Sequence, residues 1–205
     1  LIPIAGTIHN GGEVIEISAN VTDNVAVSSV LANLTYPNGT TQQLVLILTT
    51  GNKYNTSFTI PSLIGRYNLT IIANDSSNNL NNTETTYFNA TDTIKPIVTN
   101  LIPSAGSSYN TSQNIELSAN VTDNFAVSSV SANITYPNGT IQEISLTQVG
   151  ITAKYNASFT IPITAGRYNI TFIANDTSNN INNTENTFFV TEDSTNPIVY
   201  NFIPL

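Results

Sequence analysis

Cysteine and methionine are absent, histidine occurs once, and only 9% of the residues are charged. Without cysteine no disulfide can staple the chain, which argues against a disulfide-rich extracellular module and leaves packing to hold any fold together. With a single histidine there is no Cys–His pair and no metal-binding histidine cluster, and no phosphate-cradling glycine loop or nucleophile elbow is present either. Catalysis needs convergent groups of these kinds, so the chain reads as a non-enzyme. Lysine is confined to Lys53, Lys95 and Lys154, and 13 acidic against 5 basic residues give a net charge of -8. Such a balance disfavours a nucleic acid or an anionic membrane as partner. No stretch approaches the ~20 apolar residues of a membrane-spanning helix, and Leu1 does not open a signal-peptide pattern. Any such elements are expected outside this stretch, and the missing methionine fits a processed or excerpted chain.

What is present is 40% hydrophobic residues, with nine Tyr and eight Phe, which argues for a packed protein rather than a disordered one. Shifted by 100 residues, and by 101 after an insertion near Gly150, the chain aligns with itself, with more than half of the positions identical. Leu1-Ile2-Pro3 matches Leu101-Ile102-Pro103, and Phe202-Ile203-Pro204 begins the motif again. The expected organisation is therefore a repeat over 1–95, a second over 96–198, and the start of a third repeat, or a donated strand, over 199–205.

Within the second repeat Ile115, Leu117, Ala119 and Val121 alternate with Glu116, Ser118, Asn120 and Thr122. This period of two predicts a strand with one apolar face. Val130, Ala132, Ile134 and Tyr136 repeat the pattern before a turn at Pro137-Asn138-Gly139, and further strands are predicted near Ile97, Ile141, Tyr155, Arg167 and Thr184. Seven short strands per repeat with no helical period make the chain all-β, a pair of sandwiches.

The stretch from Gly65 to Asp75, Gly-Arg-Tyr-Asn-Leu-Thr-Ile-Ile-Ala-Asn-Asp, and its copy from Gly166 to Asp176 place a Tyr at the start of the sixth strand. This looks like the tyrosine corner of immunoglobulin-like and fibronectin type III-like domains. With Val-Thr-Asp-Asn at 21–24 and 121–124, and Asp-x-x-x-Pro at 92–96 and 193–197, the chain resembles the repeats of bacterial and archaeal surface proteins. Its Asn/Thr-rich, cysteine-free character leans toward archaeal glycoproteins. The resemblance implies two tandem seven-stranded immunoglobulin-like β-sandwiches, extracellular and at the cell surface. It does not separate stalk, surface layer, filament and adhesin.

Asn-x-Ser/Thr occurs at Asn20, Asn33, Asn38, Asn55, Asn68, Asn74, Asn81 and Asn89, and again at Asn110, Asn120, Asn133, Asn138, Asn156, Asn169, Asn175 and Asn182. Chance predicts about 7 for this composition, so N-linked glycans are an expected partner. An outward strand face of Asn and Thr also generates the pattern through its period of two, as at Asn33 with Thr35. The turn residues Asn38 and Asn138 are the best loop sites.

Carboxylates offer one further ligand chemistry. In a sandwich of this kind the loops after the second and sixth strands lie at the end where the chain enters, so Asp123 and Asp176 are expected beside the linker residue Asp92. Together they form a candidate calcium site resembling the junction sites of cadherin-like arrays. Asp23 with Asp75, and Glu192 with Asp193, are equivalent half-sites. The competing reading is that Asp simply satisfies turn amides. Lys53 and Lys154 are formal candidates for an isopeptide crosslink, which needs a buried Lys near an Asn and a carboxylic acid. His9, replaced by Tyr109 in the second copy, reads as an exposed loop residue.

The copies differ most on one predicted outward face, where Leu31, Val45 and Ile47 stand for Ser131, Ser145 and Thr147, with Ile72 nearby. An aliphatic cluster on an Asn/Thr-rich surface suggests a protein contact, and a local register shift placing Val45 and Ile47 inside is the alternative. Both ends carry apolar strand-like segments, and strand donation between subunits would build a head-to-tail homopolymer. The leading expectation is a self-associating structural surface protein. The alternatives are stalk repeats of an adhesin, and then accessory repeats of a secreted enzyme.

Overall fold

The structure, a computed structural model, describes residues 1–193 and 196–200. Every regular element among them is a strand, and no helix long and apolar enough to cross a membrane occurs. The chain divides into two compact units, Leu1–Ile94 and Lys95–Leu205. The segment expected to open a third repeat lies, from residue 201 onward, outside the described residues; Val199 and Tyr200 are described and exposed.

Unit 1 contains β1 (Thr7–Asn10), β2 (Val14–Asn20), β3 (Val27–Thr35), β4 (Thr41–Thr50), β5 (Lys53–Thr59), β6 (Gly65–Asp75), β7 (Leu80–Asn81) and β8 (Thr85–Thr91). Unit 2 contains β9 (Ile97–Ile102), β10 (Ser107–Asn110), β11 (Asn114–Thr122), β12 (Val127–Thr135), β13 (Ile141–Gln148), β14 (Lys154–Thr160), β15 (Gly166–Asp176), β16 (Ile181–Asn182) and β17 (Asn186–Glu192). The order in unit 1 is β1-β8-β6-β3-β4-β5-β2, and in unit 2 β10-β17-β15-β12-β13-β14-β11-β9.

The seven expected strands per repeat are all there, and two features add to them. The first strand is split: in unit 2, β9 pairs antiparallel with β11, and after the Pro103-to-Gly106 bend β10 pairs parallel with β17. In unit 1 the early part is a bridge between Ile2 and Ser18, followed by β1 parallel to β8. The second addition is the two-residue β7 or β16, a ribbon extending the sixth strand. The fourth strand crosses between layers. Residues Thr41 to Leu46 of β4 pair with β3, and Ile47 to Thr50 pair with β5, which curls the two sheets into one continuous path.

Alternation builds the core. Ile17, Leu34, Leu69 and Phe88 are fully buried in unit 1, and Leu117, Ile134, Ile170 and Phe189 take the same places in unit 2. Each unit is organised round a stacked aromatic pair. Tyr67 lies flat on Phe88 with ring centroids 4.8 Å apart, and Tyr168 on Phe189 at 4.9 Å. The tyrosine corner is formed in both: Tyr67 Oη donates to the Leu63 carbonyl at 2.9 Å, and Tyr168 Oη to that of Thr164 at 2.7 Å. A ring that buries its area and still satisfies its hydroxyl explains why Tyr stands there rather than Phe.

Gly65, next to the corner, has φ +132°, and a Cβ there would meet the Pro37 ring at 2.8 Å. Both the backbone and the space require glycine at that strand start.

Candidate functional site

The residues singled out in the sequence fall on three surfaces: the end loops with their carboxylates, the turns and strand faces with their sequons, and the outer face of β4-β3-β6.

In unit 2, Asp123 sits in the loop between β11 and β12, and Asp176 ends β15. Their nearest carboxylate oxygens lie within 4.8 Å of one another. Topology alone causes this, because both loops leave the same end of the sandwich. The oxygens also hold turns: Asp123 Oδ1 accepts from Phe125 N at 2.9 Å, and Asp176 Oδ1 accepts from Ser178 N and Asn180 N, each at 2.8 Å. Asn180 Nδ2 donates to Asp176 Oδ2 at 2.7 Å.

Unit 1 repeats the arrangement. Asp23 Oδ1 accepts from Val25 N and Ala26 N, and Asp75 is bound by Ser77 N, Asn79 N and Asn79 Nδ2. The Asn79 side chain and backbone hold the Asp75 carboxyl below its usual range. Asp92, which leaves unit 1, is buried, and its Oδ1 accepts from Ile94 N at 3.1 Å. These aspartates thus anchor turns, and the same oxygens are hard donors of the kind calcium takes.

None of the sixteen sequon asparagines is buried. The turn sites have a definite geometry: Asn38 Oδ1 accepts from the amide and the hydroxyl of Thr40, and Asn138 Oδ1 from those of Thr140. This Asx turn commits the Asn carbonyl oxygen to the threonine, and both asparagines are exposed; Nδ2 is the atom that a glycan would occupy. Asn81 and Asn182 bind Thr83 and Thr184 in the same way. At three sequons, the Asn182 turn among them, Nδ2 itself is engaged: Asn55 Nδ2 donates to Glu16 Oε1, Asn156 Nδ2 to Glu116 Oε1, and Asn182 Nδ2 to the Pro96 carbonyl.

Lys53, Asn55 and Glu16 meet on the outer face of β2 and β5, with Lys53 Nζ 2.6 Å from Glu16 Oε1. Lys154, Asn156 and Glu116 do the same in unit 2, at 2.7 Å. These are the three residue types of an isopeptide crosslink, placed in solvent contact instead of in a core. Lys53 first, then Asn55, holds the Glu16 carboxyl below its ordinary range. The clusters have the geometry of surface ion pairs.

His9 is not in a loop. It lies in β1, its ring edge-on to Phe88 at 5.8 Å and its Nδ1 3.0 Å from Glu13 Oε2. Tyr109 packs on Phe189 in the same manner at 5.6 Å, so an aromatic edge is the common requirement.

On the outer face of unit 1 one cross-strand row runs Val45, Leu31, Ile72: Leu31 pairs with Val45 on β4 and with Ile72 on β6. Val45 is 64% exposed and Ile47, two residues further along β4, 67%. The corresponding row of unit 2 is Ser145, Ser131, Ile173. Two pairs of contacts were not legible in the sequence. Arg66 lies 3.7 Å over the Tyr87 ring and Arg167 3.8 Å over that of Phe188; Thr86 and Thr187, buried, donate to the Pro3 and Pro103 carbonyls at 2.8 Å. The signal was a polar residue in phase with the buried alternation of Phe88 and Ala90.

Residues 96–172 match the family model described as Bacterial Ig domain. The match covers β9 to the middle of β15, which includes Tyr168 of the corner and most of the unit 2 core, but not Ala174 or Phe189. No curated protein matches the chain. Among solved structures, the chain is similar to the fibronectin(III)-like modules of Clostridium thermocellum CbhA, at 19% identity over 98% of this chain and 97% of that one, with a TM-score of 0.42. It is also similar to a tetra-tandem repeat in the extending region of a large adhesion protein, at 20% identity over 91% of this chain and 47% of that one, with a TM-score of 0.48. The protein is thus a tandem of immunoglobulin-like β-sandwiches.

Proposed function

We propose that the chain is a structural, extracellular repeat segment of a cell-surface filament, layer or stalk, and that it self-associates. The observation that carries this reading is the Val45–Leu31–Ile72 row with Ile47 beside it: two exposed aliphatic side chains, Val45 and Ile47, flanking the half-buried Leu31 and Ile72 on one unit, where the other has Ser131, Ser145 and Thr147. Scattered surface aliphatics need no explanation, whereas a contiguous row on an Asn/Thr-rich face points to a contact. Glycans at Asn38 and Asn138, both exposed in their turns, would supply the solubility that so few charges leave wanting.

Electron microscopy of the purified chain tests the reading. Ordered fibres or lattices are expected, and the Leu31→Ser, Val45→Ser, Ile47→Thr variant should lose them while keeping its melting behaviour. Monodisperse particles in both proteins would favour the second reading, stalk repeats of an adhesin. The polar outer face of unit 2 supports that alternative, because a spacer module needs no contact there.

A further inference from the structure

Between Thr41 and Leu46, β4 has a partner on one side only. It pairs with β3 in unbroken register, from Thr35 opposite Thr41 to Val30 opposite Leu46, and meets β5 only from Ile47 onward. Among the described residues no strand lies along the other side of this stretch. The Thr40 carbonyl accepts from Tyr36 N, so alternation turns the backbone groups of Gln42 and Leu44 toward β3, and those of Thr41, Gln43 and Val45 toward the open side. The edge does not depend on where the chain starts or stops. In unit 2, where β9 runs along β11, Ile141 to Leu146 of β13 are paired with β12 and left open in the same way.

An open edge invites pairing with another chain, and proteins usually blunt one with charge, proline or a bulge. The stretch of β4 paired with β3 has none of these. Thr41 to Thr50 contains no charged residue, proline or glycine, and Leu44 to Leu48 are five apolar residues in a row. The second copy differs at alternate positions: Gln43, Val45 and Ile47 become Glu143, Ser145 and Thr147, all of them exposed. Unit 2 thus has a carboxylate at the middle of its open stretch, and unit 1 has a neutral amide there. On a chain of net charge -8, an uncharged edge lets a second copy approach without local repulsion.

We infer that the open edge of β4 pairs antiparallel with the same edge of a second copy of this chain. Such a pair is self-complementary about a twofold axis, and with Thr41, Gln43 and Val45 facing outward the axis falls on Gln43. Gln43 then faces Gln43 of the second copy and Thr41 faces its Val45, for about six backbone hydrogen bonds, two at each of three facing pairs. In unit 2 the same geometry would set Glu143 against its own counterpart. Like charges directly opposite one another destabilise a strand pair, so a single carboxylate closes that edge. The contact is isologous and stops at two copies, and growth into fibres or lattices uses the outer-face row as a second contact. The inference rests on the self-associating reading for its partner and adds a second surface to it.

The Leu31→Ser, Val45→Ser, Ile47→Thr variant isolates the edge, because it removes the row and keeps the backbone of β4. Its sedimentation should show a dimer. Adding Gln43→Glu should weaken that dimer at least ~10-fold, with salt restoring part of the loss, since two carboxylates would meet at the axis. Adding Gln43→Ser instead should stay within about 3-fold. Gln43 is exposed, and unit 2 carries Glu143 at the same place in the same fold, so neither change should lower the melting temperature. Glu143→Gln in the same background should carry association past the dimer, because each chain then has two open edges. Hydrogen exchange at the Thr41 and Gln43 amides should slow as the row variant is concentrated, and should not after Gln43→Glu. A row variant that is monomeric where the parent associates overturns the edge and leaves self-association through the row. Equal effects of Gln43→Glu and Gln43→Ser overturn the edge as well, and so does a Glu143→Gln variant that stops at the dimer. A parent chain that is itself monomeric overturns both the edge and the self-associating reading.

Discussion

Tyr67 shows at the residue scale how one side chain ties sequence, packing and pH response together. Its ring is fully buried against Phe88, and its hydroxyl is bound to the Leu63 carbonyl. Burial first, and then the neighbouring Tyr36, pushes the hydroxyl pKa up to about 12; that of Tyr168 is raised by burial and then by Tyr136. An unfolded tyrosine ionises near pH ~10. The folded state therefore holds its proton more tightly, and this contribution to stability is fully present below pH ~10 and is lost as the pH rises from there through about 12. Melting temperature measured across that window should fall steeply. Tyr67→Phe should cost about 1 kcal/mol at neutral pH, because it removes the donor to Leu63, and should shrink the alkaline fall. An alkaline profile unchanged in Tyr67→Phe and in the double variant with Tyr168→Phe would assign the fall to other groups.

At the scale of elements, the device that needs explaining is the switch of the first strand from one sheet to the other. Thr86 on β8 reaches across to the Pro3 carbonyl, and Thr187 on β17 to that of Pro103, both buried. A carbonyl at a strand switch has no ladder partner, so the hydroxyl takes the place of one. Thr86→Val keeps the shape and removes the donor, and urea unfolding should report a loss of about 1–3 kcal/mol; Thr86→Ser should restore most of it. Much of this architecture was legible in the sequence. Strict alternation around Ile115 and Val130, Pro-Asn-Gly turns and the Tyr that opens β6 and β15 are local signals, and a period of two leaves one choice of buried face. The split first strand, the crossing of β4 between layers and the two-residue β7 and β16 were not. Each depends on pairing between distant segments, and a two-residue strand has no period to detect. The same division holds for the sites. The outward direction of Val45 and Ile47 follows from alternation on β4, but the row they make with Leu31 and Ile72 needs the register of three strands. The Lys53–Asn55–Glu16 cluster likewise needs the pairing of β2 with β5.

Whole-molecule charge sets the last question, because a net charge of -8 on so few ionisable groups concentrates repulsion wherever carboxylates meet. Asp123 and Asp176 meet within 4.8 Å at one end of unit 2. Their turn amides offset part of that repulsion, and a divalent cation would offset more. Calcium takes six to eight oxygens, and two carboxylates already committed to turns supply only a few, so a cation held here is expected to bind no tighter than the millimolar range of weakly caged sites. Melting temperature is then expected to rise with millimolar calcium, less so with magnesium, whose octahedral demand these turns do not meet. Asp123→Asn should abolish the rise, because it removes a charge while its amide oxygen can still accept from Phe125 N. Sodium chloride at matched ionic strength separates binding from screening: screening acts on every exposed charge and would stabilise Asp123→Asn as much as the parent. A rise reproduced by sodium, or none at all, would leave Asp123 and Asp176 as the anchors of their turns.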